Sequence, residues 1–307
     1  MGQKTNIEWC DSTINGTSGC DGCELWNKQA RTCYAGNLQT HRLSKSMPHL
    51  YSRDFSEVRM IPGRFAQAAA WSDLRGTERP EKPWLNGMPR CIFVGDLGDT
   101  FSRAVTDEFL TRELFGAITS KQGQRHFWML LTKRPKELAK KWGGLPDNVM
   151  AMTTITSQKS AQARVADLLE VRCKWKGLSC EPLLEAVNLR AIDDVDGNRL
   201  DSLTGAWGVE GRGWTEESSN RINLVICGGE SGPGARPMHP DWARSLRDQC
   251  SAAGVPFFFK QWGEWLYPPG MPTGPTSRKG YDLVRVGKKK AGRELDGIEH
   301  NAFPALP

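Results

Sequence analysis

Three cysteines stand close together near the start of the chain: Cys20, Cys23 and Cys33, within SGCDGCELWNKQARTCYAG. A Cys-x2-Cys pair lets two thiolates grip one centre, and a third cysteine nearby makes a three-ligand set. The surrounding glycines, asparagine and threonines suit a loop that folds around a metal. A structural zinc site takes four protein ligands, and His41 or Cys10 would have to complete it here. Iron–sulfur clusters also commonly take four cysteines. A [4Fe–4S] cluster on three thiolates leaves one iron open, and a cofactor or substrate can bind there. On spacing alone both centres stay open, beside the reading that these are unrelated core thiols. Of the nine cysteines, Cys91, Cys180 and Cys227 lie in or at the ends of apolar runs and read as small buried side chains. Cys173 and Cys250 fall in helical context and carry no signal.

A second group of reactive side chains follows a series of short apolar runs: CIFVG (91–95), FWMLL (127–131), VMAMT (149–153), WKGLSC (175–180), LVIC (224–227) and VPFFF (255–259). After them come GDLGDTFSR, TKRP, TTITSQ, CEPL, GGESG and KQWGEW. In parallel α/β folds the C-terminal strand ends share one edge, and active sites are built there. Asp96, Asp99, Lys133, Arg134, Glu181, Glu230 and Lys260 are therefore expected at such an edge. Asp96, Lys133, Glu181 and Lys260 are the catalytic candidates. Gly228, Gly229, Glu230 and Ser231, with Asp99, are the cofactor-binding candidates: glycines admit a ligand to the backbone, and carboxylates accept hydroxyl or ammonium hydrogens. Lys133, Arg134 and Lys260 can hold phosphate or carboxylate.

The elements that must position these groups alternate. Near-continuous apolarity over about five residues marks a strand buried on both faces. Helical patterns lie between, at 106–119 behind a capping Thr106, at 160–169, and at 240–253 with Gly254 as a stop. The fold class expected is α/β, a doubly wound sheet or a β/α barrel, with a possible first strand at residues 6–9. Residues 1–266 are read as the barrel, with 191–221 an insertion or lid. Residues 267–307 are read as a Pro/Gly-rich linker and a tail in which 282–286 and 293–295 flank GKKKAG as a basic-tipped hairpin.

With 38% hydrophobic and 25% charged residues, the 307-residue chain holds enough apolar material for a core, which excludes a mainly disordered protein. No apolar run approaches the roughly 18 residues of a membrane span, and MGQKTNIEWC lacks the apolar stretch of a secretory signal. No membrane partner and a cytoplasmic location are expected. The net charge of +6, from 41 Lys and Arg against 35 Asp and Glu, leans towards a polyanion. Lys288, Lys289, Lys290 and Arg293 are the expected nucleic-acid contacts, with Trp262 and Trp265 as stacking candidates.

The stretches NIEWCDSTIN, GCDGC…CYAG, FVGDLGDTF, LLTKRP, LSCEPLL, LVICGGESGPGARPMHPDWARSLRDQC and VPFFFKQWGEW together resemble the phage-encoded three-cysteine-motif proteins, a family of undefined function grouped with the radical S-adenosylmethionine barrels. The resemblance runs from Asn6 to Trp265. It implies a partial β/α barrel with a cysteine loop after the first strand. It further implies a [4Fe–4S] cluster on Cys20, Cys23 and Cys33, with S-adenosylmethionine on the open iron. The activity implied is radical modification or repair of a nucleic-acid base or nucleotide, with DNA or a nucleotide as substrate and a partner protein encoded by the same phage or mobile element. One departure stands out: radical enzymes of this kind use Cys-x3-Cys-x2-Cys, and this chain has Cys-x2-Cys-x9-Cys. The alternatives are a non-catalytic, metal-stabilised barrel that binds nucleic acid or recruits a partner, and a zinc protein.

Overall fold

Each of the six apolar runs becomes a parallel strand, and a seventh, short strand precedes them. The computed structural model describes residues 2–193, 197–209, 213–266 and 284–306. In chain order the strands are β1 (Ser12–Ile14), β2 (Thr17–Ser18), β3 (Arg59–Met60), β4 (Arg90–Val94), β5 (His126–Thr132), β6 (Val149–Thr154), β7 (Trp175–Cys180), β8 (Ile192–Asp193), β9 (Arg199–Asp201), β10 (Ala206–Val209), β11 (Gly213–Trp214), β12 (Leu224–Gly228), β13 (Phe257–Gln261), β14 (Trp265–Leu266), β15 (Val284–Arg285), β16 (Glu294–Leu295) and β17 (Ile298–Glu299). The main sheet runs β1-β4-β5-β6-β7-β12-β13. Its order is linear, so the fold is mixed α/β with an open parallel sheet, as a partial barrel requires. Residues 6–9 do not form the first strand. That place belongs to Ser12–Ile14, where the buried Ser12 Oγ donates to the Gln3 carbonyl at 2.8 Å and accepts from Arg90 at 3.0 Å.

Two compact units divide the chain. The first comprises residues 1–152, 171–175 and 305–307. Its strands are buried along β4 and nearly so along β5, with Trp9, Phe65, Trp128 and Leu130 in the core. Arg79 forms a buried pair with Asp11 at 2.7 Å, and Asp11 also accepts from the Cys91 N–H. The helix expected at 106–119 forms as Asp107–Phe109, a π turn over Leu110–Phe115, and Gly116–Thr119, and Thr106 accepts from the Phe109 N–H at its start.

The second unit comprises residues 153–170 and 176–304. Helix Gln158–Leu169 opens on a capping box at Ser157, and Pro240–Ala252 is followed by Gly254 at φ 64°. The 191–221 insertion is an antiparallel meander, ordered β11-β10-β9-β8. The tail differs from the expected hairpin. β15 pairs with β14 and β16 pairs with β17, while the lysine run forms a short helix, Lys288–Ala291. A run of three lysines and an alanine has good helix propensity and no strand pattern to oppose it. The tail also docks: Asn301 bridges to Phe258, and Phe259 donates to the His300 carbonyl at 2.8 Å. The expected linker at 267–280 lies outside the described residues.

Candidate functional site

The cysteine loop of the first unit grows directly from β1 and β2. Gly19, at its start, forms a parallel bridge with Gly98, which follows β4. A Cβ on Gly98 would lie 2.7 Å from the Gly19 carbonyl oxygen, so the two backbones meet only because that side chain is absent. The buried Gln39 side chain accepts from the Gly19 N–H at 3.1 Å and donates to the Ser52 carbonyl at 3.0 Å. Cys20 N–H donates to the Phe55 carbonyl at 2.8 Å.

Trp26 organises the nine-residue gap before Cys33. Cys23 and Trp26 exchange backbone hydrogen bonds at 2.9 and 3.0 Å, and Cys33 N–H donates to Leu25. The Trp26 ring packs edge-on against Phe55 with centroids 5.2 Å apart and carries the Arg31 guanidinium at 4.6 Å. Cys20 and Cys33 pack against this Trp26–Ala35–Phe55 cluster. Cys33 caps the helix that begins at Tyr34, runs through a π turn and ends at Ser46.

Arg134 ties the loop to the strands. Its Nη2 donates to the Gly22 carbonyl at 3.0 Å, its Nε lies 3.2 Å from Asp21 Oδ2, and its Nη1 lies 3.3 Å from Asp99 Oδ2. Asp21 and Gly22 are the two residues between Cys20 and Cys23, so one guanidinium clamps the whole Cys-x2-Cys turn. Asp99 in turn accepts from the Thr132 hydroxyl at 2.7 Å and from the N–H groups of Phe101 and Lys133. The motifs GCDGC, GDLGD and TKRP are thus one hydrogen-bonded assembly.

All three cysteines are free thiols and half-buried. Burial pushes the Cys20 thiol up to about 12, with Asp99 adding to the rise and Arg134 opposing it. Burial also raises Cys23, against the pull of Lys133. Cys20 and Cys23, and likewise Cys23 and Cys33, stand within electrostatic reach of each other. The donor set therefore fits a three-thiolate centre in type, with two cations beside it to offset thiolate charge. Among the described residues, however, no three His, Cys, Asp or Glu side chains are gathered as a metal-holding group. A shared centre would have to draw the thiols together and displace their protons. Cys10, the alternative fourth zinc ligand, is fully buried beside Lys82 and Cys91, and His41 is exposed on the helix that Cys33 caps.

Asp96 occupies a pocket of polar groups in the same unit. Asn15 donates through Nδ2 to Asp96 Oδ1 and accepts the Leu97 N–H at 2.9 Å, which fixes its orientation. Burial raises the Asp96 carboxyl above the ordinary carboxylate range, against the hydrogen bond from Asn15.

The second unit holds the other candidates. Glu181, just past β7, pairs with Lys260 of β13 at 2.7 Å. The strand between them is β12, and it ends in Gly228. A Cβ there would stand 3.0 Å from Glu181 Oε1, so the bare glycine leaves room for the pair. Gly229 serves backbone approach: its Cβ would fall 2.0 Å from the Trp262 carbonyl oxygen. Glu230 is held by Arg236 at 2.7 Å through both Nε and Nη2, and Ser231 is exposed. Trp262 and Trp265 donate to the carbonyls of Glu294 and Ala235, as packing residues do.

The tail's basic side chains divide. Lys289 and Lys290 are exposed and Lys288 is half-buried. Arg293 is drawn inward, over the Phe258 ring at 5.2 Å and 3.0 Å from Glu299. No helix among the described residues is long and apolar enough to cross a membrane.

Residues 4–304 match a family described as a protein of unknown function, DUF5131. The chain belongs to the DUF5131 family. No curated protein and no solved structure matches it. DUF5131 membership spans both units and includes the whole cysteine loop. The sequence reading missed Arg134 as the clamp of that loop. Its position beside Lys133 in TKRP marked it as an anion-holding residue, and the anions it holds are the chain's own Asp21 and Asp99.

Proposed function

We propose that this protein is an iron–sulfur enzyme of the radical S-adenosylmethionine type that modifies or repairs a nucleic-acid base or nucleotide. The observation that carries the reading is the cysteine loop: three free, half-buried thiols at the C-terminal edge of β1 and β4, with Lys133 and Arg134 beside them. Cys20, Cys23 and Cys33 would hold a [4Fe–4S] cluster, leaving a position for S-adenosylmethionine. When bound, that pair supplies one-electron reduction and hydrogen-atom abstraction. The chain's own residues do the rest. Arg134 and Asp99 hold the Cys-x2-Cys turn in register, Trp26 and Phe55 shield Cys20 and Cys33 from water, and Lys133 offsets charge at Cys23. Asp96 keeps its proton to a higher pH than an ordinary carboxyl group and is suited to donate a hydrogen bond.

Anaerobic purification with iron and sulfide analysis tests this. About four irons per chain with matching sulfide is expected, followed by reductive cleavage of S-adenosylmethionine to 5′-deoxyadenosine. Stoichiometric zinc without iron overturns the reading. A second reading, a metal-stabilised binding protein without catalysis, draws support from the second unit, where Glu230 is committed to Arg236 and Glu181 to Lys260. Iron without cleavage, in the presence or absence of DNA, favours that alternative.

A further inference from the structure

From Leu25 to Arg53 the chain carries Lys28, Arg31, Arg42, Lys45 and Arg53, and not one Asp or Glu. All five are exposed. Among the described residues Lys28, Arg42, Lys45 and Arg53 form no ion pair with a carboxylate. Arg31 lies over Trp26 and within electrostatic reach of Asp54. Carboxylates flank the stretch on both sides: Asp21, held by Arg134, and the exposed Glu24 precede it, and after it Asp54 is engaged by Ser56, and Glu57 by Ser52 and Arg59.

The helix over 34–46 gives this charge a direction. Ala35, Gly36, Gln39 and Ser44 are its buried face, and Tyr34, His41, Arg42 and Lys45 are exposed. Tyr34 directly follows Cys33 and is 64% exposed, the most exposed large hydrophobic side chain described. At about 1.5 Å per residue, Arg42 and Lys45 lie roughly 12 and 16 Å along the helix from Tyr34. An aromatic ring followed by spaced, unpaired cations suits a single strand, with a base stacking and phosphates running along the helix. The tail offers a poorer surface, because Glu294, Asp296 and Glu299 follow directly on its cations and Arg293 is committed to Glu299.

We infer that the cysteine-loop face of the first unit, through Tyr34, Arg42, Lys45, Lys28 and Arg53, is a docking surface for single-stranded DNA. The choice of DNA rests on the proposed function, whereas the surface itself rests on charge and exposure.

The test is fluorescence anisotropy of the full-length protein with a labelled 20-nucleotide single strand of mixed sequence. Iron content is measured on the same preparations. Four phosphate contacts give a salt slope of about −2.8, so raising salt from about 50 to about 200 mM should weaken binding about 50-fold. R42A/K45A should halve that slope, to about a sevenfold loss. Y34A should weaken single-strand binding while leaving any duplex binding unchanged. K288A/K289A/K290A should bind as the parent does. Unaltered circular dichroism of these surface variants confirms folding. Absence of binding by the parent, an unchanged slope in R42A/K45A, loss confined to the tail variant, or binding of RNA but not DNA overturns the inference. Because binding is read without turnover, iron-free protein that still binds through this face refutes the enzyme reading and leaves the surface standing.

Discussion

Replacing Arg134 by alanine removes three contacts at once, to Asp99, Asp21 and the Gly22 carbonyl. Breaking a fully buried ion pair costs about 3–5 kcal/mol. Here the loss is smaller, because Asp99 keeps Thr132 and two backbone donors, and Asp21 keeps Ser102 and the Arg103 N–H. What is lost is the charge-assisted fork and one carbonyl partner, about 2 kcal/mol. For a unit of this size that lowers the melting temperature by about 4–8 °C. The loss is also local. With the Asp21–Gly22 turn released, gained access should outweigh the thiolate stabilisation that Arg134 lent Cys20, and Cys20 and Cys23 should react faster with an aromatic disulfide at pH 8, site by site in mass spectrometry. Cys33, held through Leu25 and its helix, should keep its rate. R134K should restore the contact to Asp99 but not the fork, and so recover stability more than thiol protection. Equal acceleration at all three cysteines, or none in R134A, would refute the clamp.

G22A should cost about 1–2 kcal/mol in urea unfolding, because Gly22 sits at φ 93° with Trp26 O only 2.6 Å from a Cβ; unchanged stability contradicts that geometry. A double-mutant cycle with E181Q and K260M should give a coupling of about 1–3 kcal/mol, and additivity would show that the pair across Gly228 contributes nothing. Asp296 is held down to about 2 by Arg244, with Arg247 assisting, against an ordinary 3.8. Because the folded value is the lower one, its stabilisation is complete above about pH 4 and fades as pH falls towards 2. Protection factors over 284–300, taken relative to intrinsic amide rates, should fall across that window in the parent, whereas D296N should show reduced protection at pH 7 already.

The strands could be read because burial on both faces leaves an unbroken apolar run: FWMLL lies within His126–Thr132 and LVIC within Leu224–Gly228. The first strand escaped because STI carries two hydroxyls, which Gln3 and Arg90 satisfy from distant positions for Ser12. The tail escaped because pairing partners such as β14 with β15 are separated by many residues, and no local pattern encodes them. At the site, residue types were legible and their obligations were not. Glu230 and Lys260 announce themselves as charged groups after strands, but only the fold shows Arg236 and Glu181 already holding them.

The two halves of the cysteine set are anchored differently, and this gives the loop unequal stiffness. Cys20 and Cys23 flank a turn bolted to the sheet through Gly98 and Arg134, whereas Cys33 rides on the first residues of a helix interrupted by a π turn. A shift of that helix would move the third thiol while the first two stay still. The backbone bonds that close the nine-residue gap on Trp26 and Leu25 travel with that helix end, so if a centre sits on these thiols its size is set at Cys33, the ligand carried by a helix rather than by the sheet.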